Sequence, residues 1–306
     1  MKNIKQFKDL ETDTITKLSH LGLIKITGTD AKQFLQGQFT NDITKVDAEH
    51  NQLSAWCNHK GRIIVSLRIF QREEAFYLLL PQESLAPTLK RLQMFVLRSA
   101  VKLENASDNL TCIGISGNNS QKIVADCLFN PPTTIDSSIT KGTTTILKIA
   151  GTIPRYIIIS DTMPDCHQVI SSVNSKIWQL LDIFAGLPTI GLATTEEFVP
   201  QMVNYQQING ISLSKGCYTG QEVVARVHYL GKLKRKLYLA NIDTCEIPQP
   251  GDDVQVDDEK VGKIVNVVQH SEGNVIVLAS IIIKHAESDN IHWQTNLLQL
   301  MELTYD

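Results

Sequence analysis

Hydrophobic periodicity changes character once along this chain, near residue 236, and that change constrains the fold more than any single motif does. Before it, apolar runs of strand length alternate with stretches of helical period, the pattern of a mixed helix and strand unit. From Lys236 onward no helical period survives. Short β-rich runs at 236–242, 253–256, 263–268, 275–282 and 297–303 are separated by Gly, Asp and Asn turns, which predicts a small all-β barrel or sandwich. The boundary is expected within residues 231–235.

Upstream, residues 23–27 read as a strand and lead into a helix through Phe34, with Thr29 or Asp30 at its N-cap. Strands are expected near 53–57, 63–70 and 76–80, the first two joined tightly by His59-Lys60-Gly61. A helix over 84–96 places Leu85, Leu89, Leu92 and Val96 on one face, and a strand over 101–103 follows. The order then recurs: strand 110–115, helix 121–128, strands 144–149 and 156–159, and helices near 166–173 and 176–184, with Asn130-Pro131-Pro132 as a loop. The repetition lies in element order and not in residue identity, and it suggests an internal duplication.

With 306 residues, 42% hydrophobic and 20% charged, the chain has the composition of a folded protein of one or two domains. Its net charge of −3 is unevenly spread, because residues 245–306 hold 3 basic and 11 acidic side chains and the remainder holds 26 and 21. An anionic partner would therefore meet the body and not the tail, although a solvated acidic tail is the plainer reading. Six cysteines lie far apart without a C-x-x-C pair, and the N-terminus lacks the apolar core of a signal peptide, so a reduced, cytoplasmic protein is expected. The longest apolar runs, such as 276–283 with Ser280 inside it, fall short of the ~20 residues a membrane helix needs, and no membrane partner is expected.

Phosphate-loop, dinucleotide, zinc-protease and serine-hydrolase motifs are absent, and the eight histidines show no metal-ligand spacing. The densest stretch is Ser214-Lys215-Gly216-Cys217-Tyr218-Thr219-Gly220-Gln221-Glu222-Val223-Val224-Ala225-Arg226-Val227-His228-Tyr229. Two glycines bracket a cysteine in a tight turn, and a helix starting at Gln221 or Glu222 would set its positive end beside the thiol. Lys215 and Arg226 nearby would favour a nucleophilic, redox-active or cluster-ligating thiolate. Equally, Cys217 could be a small buried hydrophobe. Lys215, Arg226, Lys232, Lys234, Arg235 and Lys236 face one acid, Glu222, with Tyr218, His228 and Tyr229 interleaved. That composition suits a phosphate, an RNA backbone or a polycarboxylate tail, or simply a solvated strand end.

Lys215-Gly216-Cys217-Tyr218-Thr219-Gly220-Gln221-Glu222 resembles the signature of the YgfZ family, folate-binding, tRNA-modifying proteins related to the glycine-cleavage aminomethyltransferase. Three other blocks carry the same resemblance. Residues 28–42, from Gly28-Thr29-Asp30 to Thr40-Asn41-Asp42, are similar to the family's N-terminal block, Cys57-Asn58-His59-Lys60-Gly61-Arg62 to its hairpin, and Phe198-Val199-Pro200-Gln201-Met202-Val203-Asn204 to the loop before the signature. The resemblance implies an α+β fold: a duplicated ferredoxin-like, aminomethyltransferase-like folate-binding domain over residues 1–232, in halves of roughly 1–107 and 108–232, then a C-terminal β-barrel over 233–306. It implies tetrahydrofolate or another folate derivative as ligand and iron–sulfur proteins such as tRNA-thiolating enzymes as partners; the net charge of −3 and the lack of a long basic face predict tRNA contact that is weak at most. Mitochondrial iron–sulfur assembly relatives carry the same cysteine and aminomethyltransferases do not, which makes Cys217 the candidate working thiol.

The resemblance also implies candidate folate contacts at Leu21, Trp178, Asp182, Phe184, Tyr218, Gln221, Glu222 and Arg226. Two of these depart from the family pattern. Leu21 stands where the first of two folate-associated tryptophans is expected, while Trp178 matches the second. Phe184 aligns with the aminomethyltransferase glutamate that holds the pterin; a carboxylate can accept paired hydrogen bonds from an N–H edge and a phenyl ring cannot, which leaves Asp182 as the substitute. The leading expectation is an accessory factor for assembly or repair of iron–sulfur proteins, acting on tRNA thiolation through them. A folate-dependent aminomethyltransferase and a non-catalytic tRNA-binding module are the alternatives.

Overall fold

The computed structural model describes residues 8–164, 171–229, 231 and 233–305. Its first sheet is built from β2 (Leu21–Thr27), β3 (Gln52–Cys57), β4 (Ile63–Arg72), β5 (Ala75–Pro81) and β6 (Lys102–Asn105), in the order β3-β4-β5-β2-β6. Alternation along β4 sends Val65, Leu67 and Ile69 into one core, where Phe34 and Leu35 of helix α1 (Ala31–Gln38) and Leu85 and Leu92 of α2 (Gln82–Val96) cover them. Ser66, Arg68, Phe70 and Arg72 point the other way. Asp30 does precede α1, but its carboxylate accepts from the Ala100 backbone N–H at 2.7 Å instead of capping its own helix. The loop entering β6 thus takes the acceptor that the N-cap reading assigned to α1.

The second sheet runs β11-β1-β7-β10-β9-β8, from β1 (Thr14–Lys17), β7 (Thr111–Ser116), β8 (Ser138–Lys141), β9 (Thr144–Ile149), β10 (Arg155–Ser160) and β11 (Ser171–Val173). Helix α3 (Ser120–Cys127) packs on its outer face through Ile123 and Val124. Strand β1 thus precedes the first sheet in the chain yet pairs within the second. The helix expected near 166–173 is corrected in part: Ser171–Val173 is strand β11, parallel to β1, because a long-range edge offers pairing that no local period reveals. The rest of that expectation, residues 166–170, lies outside the described residues.

The inner faces of the two sheets meet at a core containing Phe70, Tyr77, Leu79, Leu147, Ile157 and Trp178. Trp178 belongs to α4 (Ser175–Phe184), and its indole lies so close to Gly114 of β7 that a Cβ there would come within 2.3 Å of the ring. Two charged contacts cross the same seam from β4, Arg68 to Asp136 and Arg72 to Asp161, both 2.6 Å. The contact between the halves is therefore partly ionic.

Strands β12 (Arg235–Ile242), β13 (Asp253–Val256), β14 (Glu259–Ser271), β15 (Asn274–Ile282), β16 (Ile291–Trp293) and β17 (Asn296–Met301) close a barrel in the order β12-β15-β14-β13-β16-β17. One face of β15 fills the barrel with Val275, Val277, Ala279 and Ile281, and the other turns Ile276 and Leu278 onto Leu180, Ile183 and Phe184 of α4. Asn204, at φ +58°, joins body to barrel: its side chain donates to the Leu237 carbonyl and accepts from the Leu237 N–H, each at 3.0 Å, as a neighbouring strand would. Among the described residues no helix is long and apolar enough to cross a membrane.

Candidate functional site

The four sequence blocks meet at the turn that carries Cys217. Lys215 is only 7% exposed, and its Nζ donates to the carbonyls of Gln36 (2.7 Å), Phe39 (2.7 Å) and Asn41 (2.9 Å) while lying 5.0 Å from the Tyr218 ring centre. Burial pulls this ammonium down to about 8, and Asp42 opposes the shift. Thr219 N–H donates to Gly37 O at 3.3 Å, and Gln221 Nε2 braces the turn on Lys215 O at the same distance. Lys215 therefore ties the turn to the end of α1 and is not a free cation beside the thiol.

The hairpin block meets the other side of the turn. Gly220 sits at φ +84°, and a Cβ there would stand 2.4 Å from Asn58 O and 2.9 Å from Gly61 Cα. Gly216, by contrast, has open space and no left-handed backbone, so of the two glycines only Gly220 is needed for geometry. Helix α5 (Gln221–Tyr229) begins where the sequence suggested, and Gln201 of the fourth block donates to its Val224 carbonyl at 2.7 Å. Arg62 donates to the carbonyls of Glu197 (2.6 Å) and Glu196 (3.3 Å), closing the ring of blocks.

On this scaffold Cys217 is exposed, as is Cys245, whereas Cys57 and Cys112 are buried and Cys127 is half-buried. Burial pushes the Cys57 thiol far up and the Cys112 thiol up to about 12. Brief native alkylation with iodoacetamide, read by peptide mass spectrometry, should modify Cys217 and Cys245 well before Cys57 and Cys112; equal rates would contradict these placements. Glu222 and Arg226 are exposed on α5, Gln221 is half-buried, and Tyr218 is buried, its hydroxyl pushed up by that burial. Among the described residues no group of three or more His, Cys, Asp and Glu side chains is placed to hold a metal ion.

A separate cavity opens between the two sheets, and Leu21, Trp178 and Asp182 share its wall. Phe184 does not. It packs with Leu180, Leu237 and Met301 between body and barrel, because residues two apart on a helix project about 200° apart. Asp182, whose side chain keeps 22% exposure, pairs with Arg155 Nη1 at 2.7 Å; burial pushes its carboxyl up, and the Arg155 and His20 charges oppose that. Arg155 also donates through Nε (3.0 Å) and Nη2 (2.8 Å) to Ala150 O, and it lies 5.1 Å from the Trp178 ring centre. Trp178 lines the cavity but is only 2% exposed, packed against Gly114 and the Arg155 guanidinium. Tyr218, Gln221, Glu222 and Arg226 lie on the thiol side and do not line this cavity.

Comparison with known proteins matches residues 11–150 to the GCVT N-terminal domain. The tRNA-modifying protein YgfZ of Colwellia psychrerythraea is 32% identical over 287 residues, covering 91% of this chain and 88% of that protein. The chain belongs to the YgfZ family. The YgfZ protein of Yersinia pseudotuberculosis serotype IB is likewise 32% identical over 277 residues, 87% of this chain and 83% of its own length. Glycine cleavage system aminomethyltransferase T from Bartonella henselae superposes with a TM-score of 0.73 at 12% identity, covering 98% of this chain and 88% of that one. The expected α+β, aminomethyltransferase-like fold with its terminal barrel is therefore the fold of this YgfZ member.

Reading by motif overlooked Arg68 and Arg155, which supply the buried charge around the cavity. For Arg68 a signal existed: it interrupts the strand-like apolar run Ile63-Ile64-Val65-Ser66-Leu67-Arg68-Ile69-Phe70, and a charge inside such a run calls for a buried partner, whereas Arg155 stands at the head of its run and gives no such signal.

Proposed function

We propose that this YgfZ member is a folate-binding accessory factor that sustains iron–sulfur enzymes, among them those that thiolate tRNA, with Cys217 as its working thiol. Residues 1–232 carry the cavity and the thiol turn, and 233–306 form the barrel that backs them. The observation that carries the folate part of the reading is Asp182: in a cavity lined mainly by Leu, Ile and Pro side chains it is the one carboxylate among the described residues, and it retains exposure. A carboxylate in such a setting accepts from an N–H edge, which a pterin supplies.

Leu21 and Trp178 would bound the ring, and Phe184 has no part in holding it. On the other face, the exposed thiol stands on a turn immobilised by Lys215 and Gly220, so a partner would meet it in one geometry. The name of the relatives and the aminomethyltransferase-like fold support a role in tRNA modification with a folate ligand.

Anaerobic calorimetric titration of the full chain with tetrahydrofolate should give saturable heat at one site. Asp182→Asn should weaken it by roughly tenfold or more, the loss expected when a hydrogen bond to a charged group becomes neutral. Unchanged affinity in that variant would remove Asp182 from the site.

A further inference from the structure

The cavity holds a second charged side chain, opposite in sign to Asp182. Arg68 projects from β4 on the face it shares with Ser66, and it is only 5% exposed. Its Nη1 serves two acceptors, Asn51 Oδ1 and Asp136 Oδ1, the latter at 2.6 Å. Its Nη2 is sealed from solvent and has no acceptor among the described residues. Leaving a buried guanidinium N–H pair unbonded is costly, and holding Asp136 does not require it, since Nη1 already does so. The side chain is therefore equipped with one donor group more than the fold uses.

Arg155, the other guanidinium near Asp182, is occupied by that carboxylate and by Ala150 O. Among the described residues Arg68 is thus the cation on the cavity wall with donor capacity to spare, and its charge favours the ionised form of Asp182. An apolar slot with a carboxylate and a spare guanidinium donor suits a molecule that presents N–H groups and a C=O acceptor together, the edge of an oxo-pyrimidine ring.

We propose that Arg68 is a ligand-positioning residue of this cavity, its Nη2, covered as the side chain stands, shifting outward to donate to an acceptor oxygen of the ring whose N–H edge Asp182 holds. This rests on the folate reading above and assigns the orientation of the ring within it. Asn51 and Asp136 occupy Nη1 and take no part in holding the ring.

The test is anaerobic titration with tetrahydrofolate of wild type, Arg68→Met, Arg68→Lys and Asp136→Asn, with melting curves for all four. Arg68→Met should bind about 10- to 100-fold more weakly, the range for losing a hydrogen bond from a charged donor. Asp136→Asn breaks the same ion pair but keeps the donor, so its affinity should stay within about threefold of wild type whatever its stability. A purely structural Arg68 would make the two variants lose affinity in parallel with their melting temperatures, and that result, or wild-type affinity in Arg68→Met, overturns the proposal. Should Arg68→Met fail to fold, Arg68→Lys decides: one ammonium can serve Asp136 but not a second acceptor at guanidinium spacing, so roughly tenfold weakening is expected and none would overturn the assignment. Absence of binding by wild type is a different failure, that of the folate reading itself, and it takes the Arg68 assignment with it.

Discussion

Replacing Gly220 by alanine should cost about 3 kcal/mol, because the new Cβ adds a left-handed backbone penalty to a contact that no side-chain rotation can relieve. The atoms it would meet, Asn58 O at 2.4 Å and Gly61 Cα at 2.9 Å, are backbone of the hairpin, so hairpin and turn must separate. For a chain of this size the melting temperature should fall by roughly 5 °C. Gly216→Ala is the internal control: with nothing within 4 Å of its Cβ position it should melt within about 1 °C of wild type. Equal losses in the two variants would show that the hairpin does not press on the turn as described.

Lys215→Met should be nearly as damaging, for an electrostatic reason. Three carbonyls, those of Gln36, Phe39 and Asn41, share one ammonium. Each such bond is worth about 1.5–3 kcal/mol when made, whereas desolvating the ammonium has already cost several kcal/mol. The variant recovers the desolvation cost but strands three acceptors at the end of α1, and the balance is a loss of about 2–4 kcal/mol. Arginine should not restore it, since a planar fork cannot replace a point donor enclosed by carbonyls. Chemical denaturation checks the stability, and the alkylation rate of Cys217 checks the coupling: the thiol turn, released from α1, should react at a changed rate. A Lys215→Met protein as stable as wild type would mean that the ammonium is not what fastens the turn.

These two residues also mark where sequence reading succeeds and where it stops. The signature was legible as a glycine-flanked turn opening a helix, and α5 starts at Gln221 as that pattern demands. The barrel was legible because its runs lack any helical period; only the three-residue β16 escaped, being too short to register. What local pattern could not convey is long-range pairing. Lys215 reads as an activating cation beside a thiol until its three carbonyl partners, more than 170 residues away, are seen. Residues 171–173 look like the end of a helix until β1 appears beside them. Phe184 inherits a role by alignment that helix geometry denies it, while Asp182, half a turn earlier, reaches the cavity.

Trp178 illustrates a third kind of limit. Its ring is a candidate folate contact through the family resemblance, and the fold makes it a core residue of α4. Packing against Gly114 and Arg155 gives it the second role and leaves it little exposed surface for the first.

The account rests most heavily on Cys217 as a working thiol held on a rigid turn, and one measurement addresses that directly. In cells lacking their own YgfZ protein, thiolated tRNA nucleosides would be quantified by mass spectrometry after supplying this chain or its Cys217→Ser variant, with melting curves of both purified proteins alongside. The account predicts restoration by the wild-type chain, at least a tenfold shortfall with Cys217→Ser, and melting temperatures within about 2 °C, as expected for an exposed substitution. Full restoration by Cys217→Ser at equal protein abundance would contradict it.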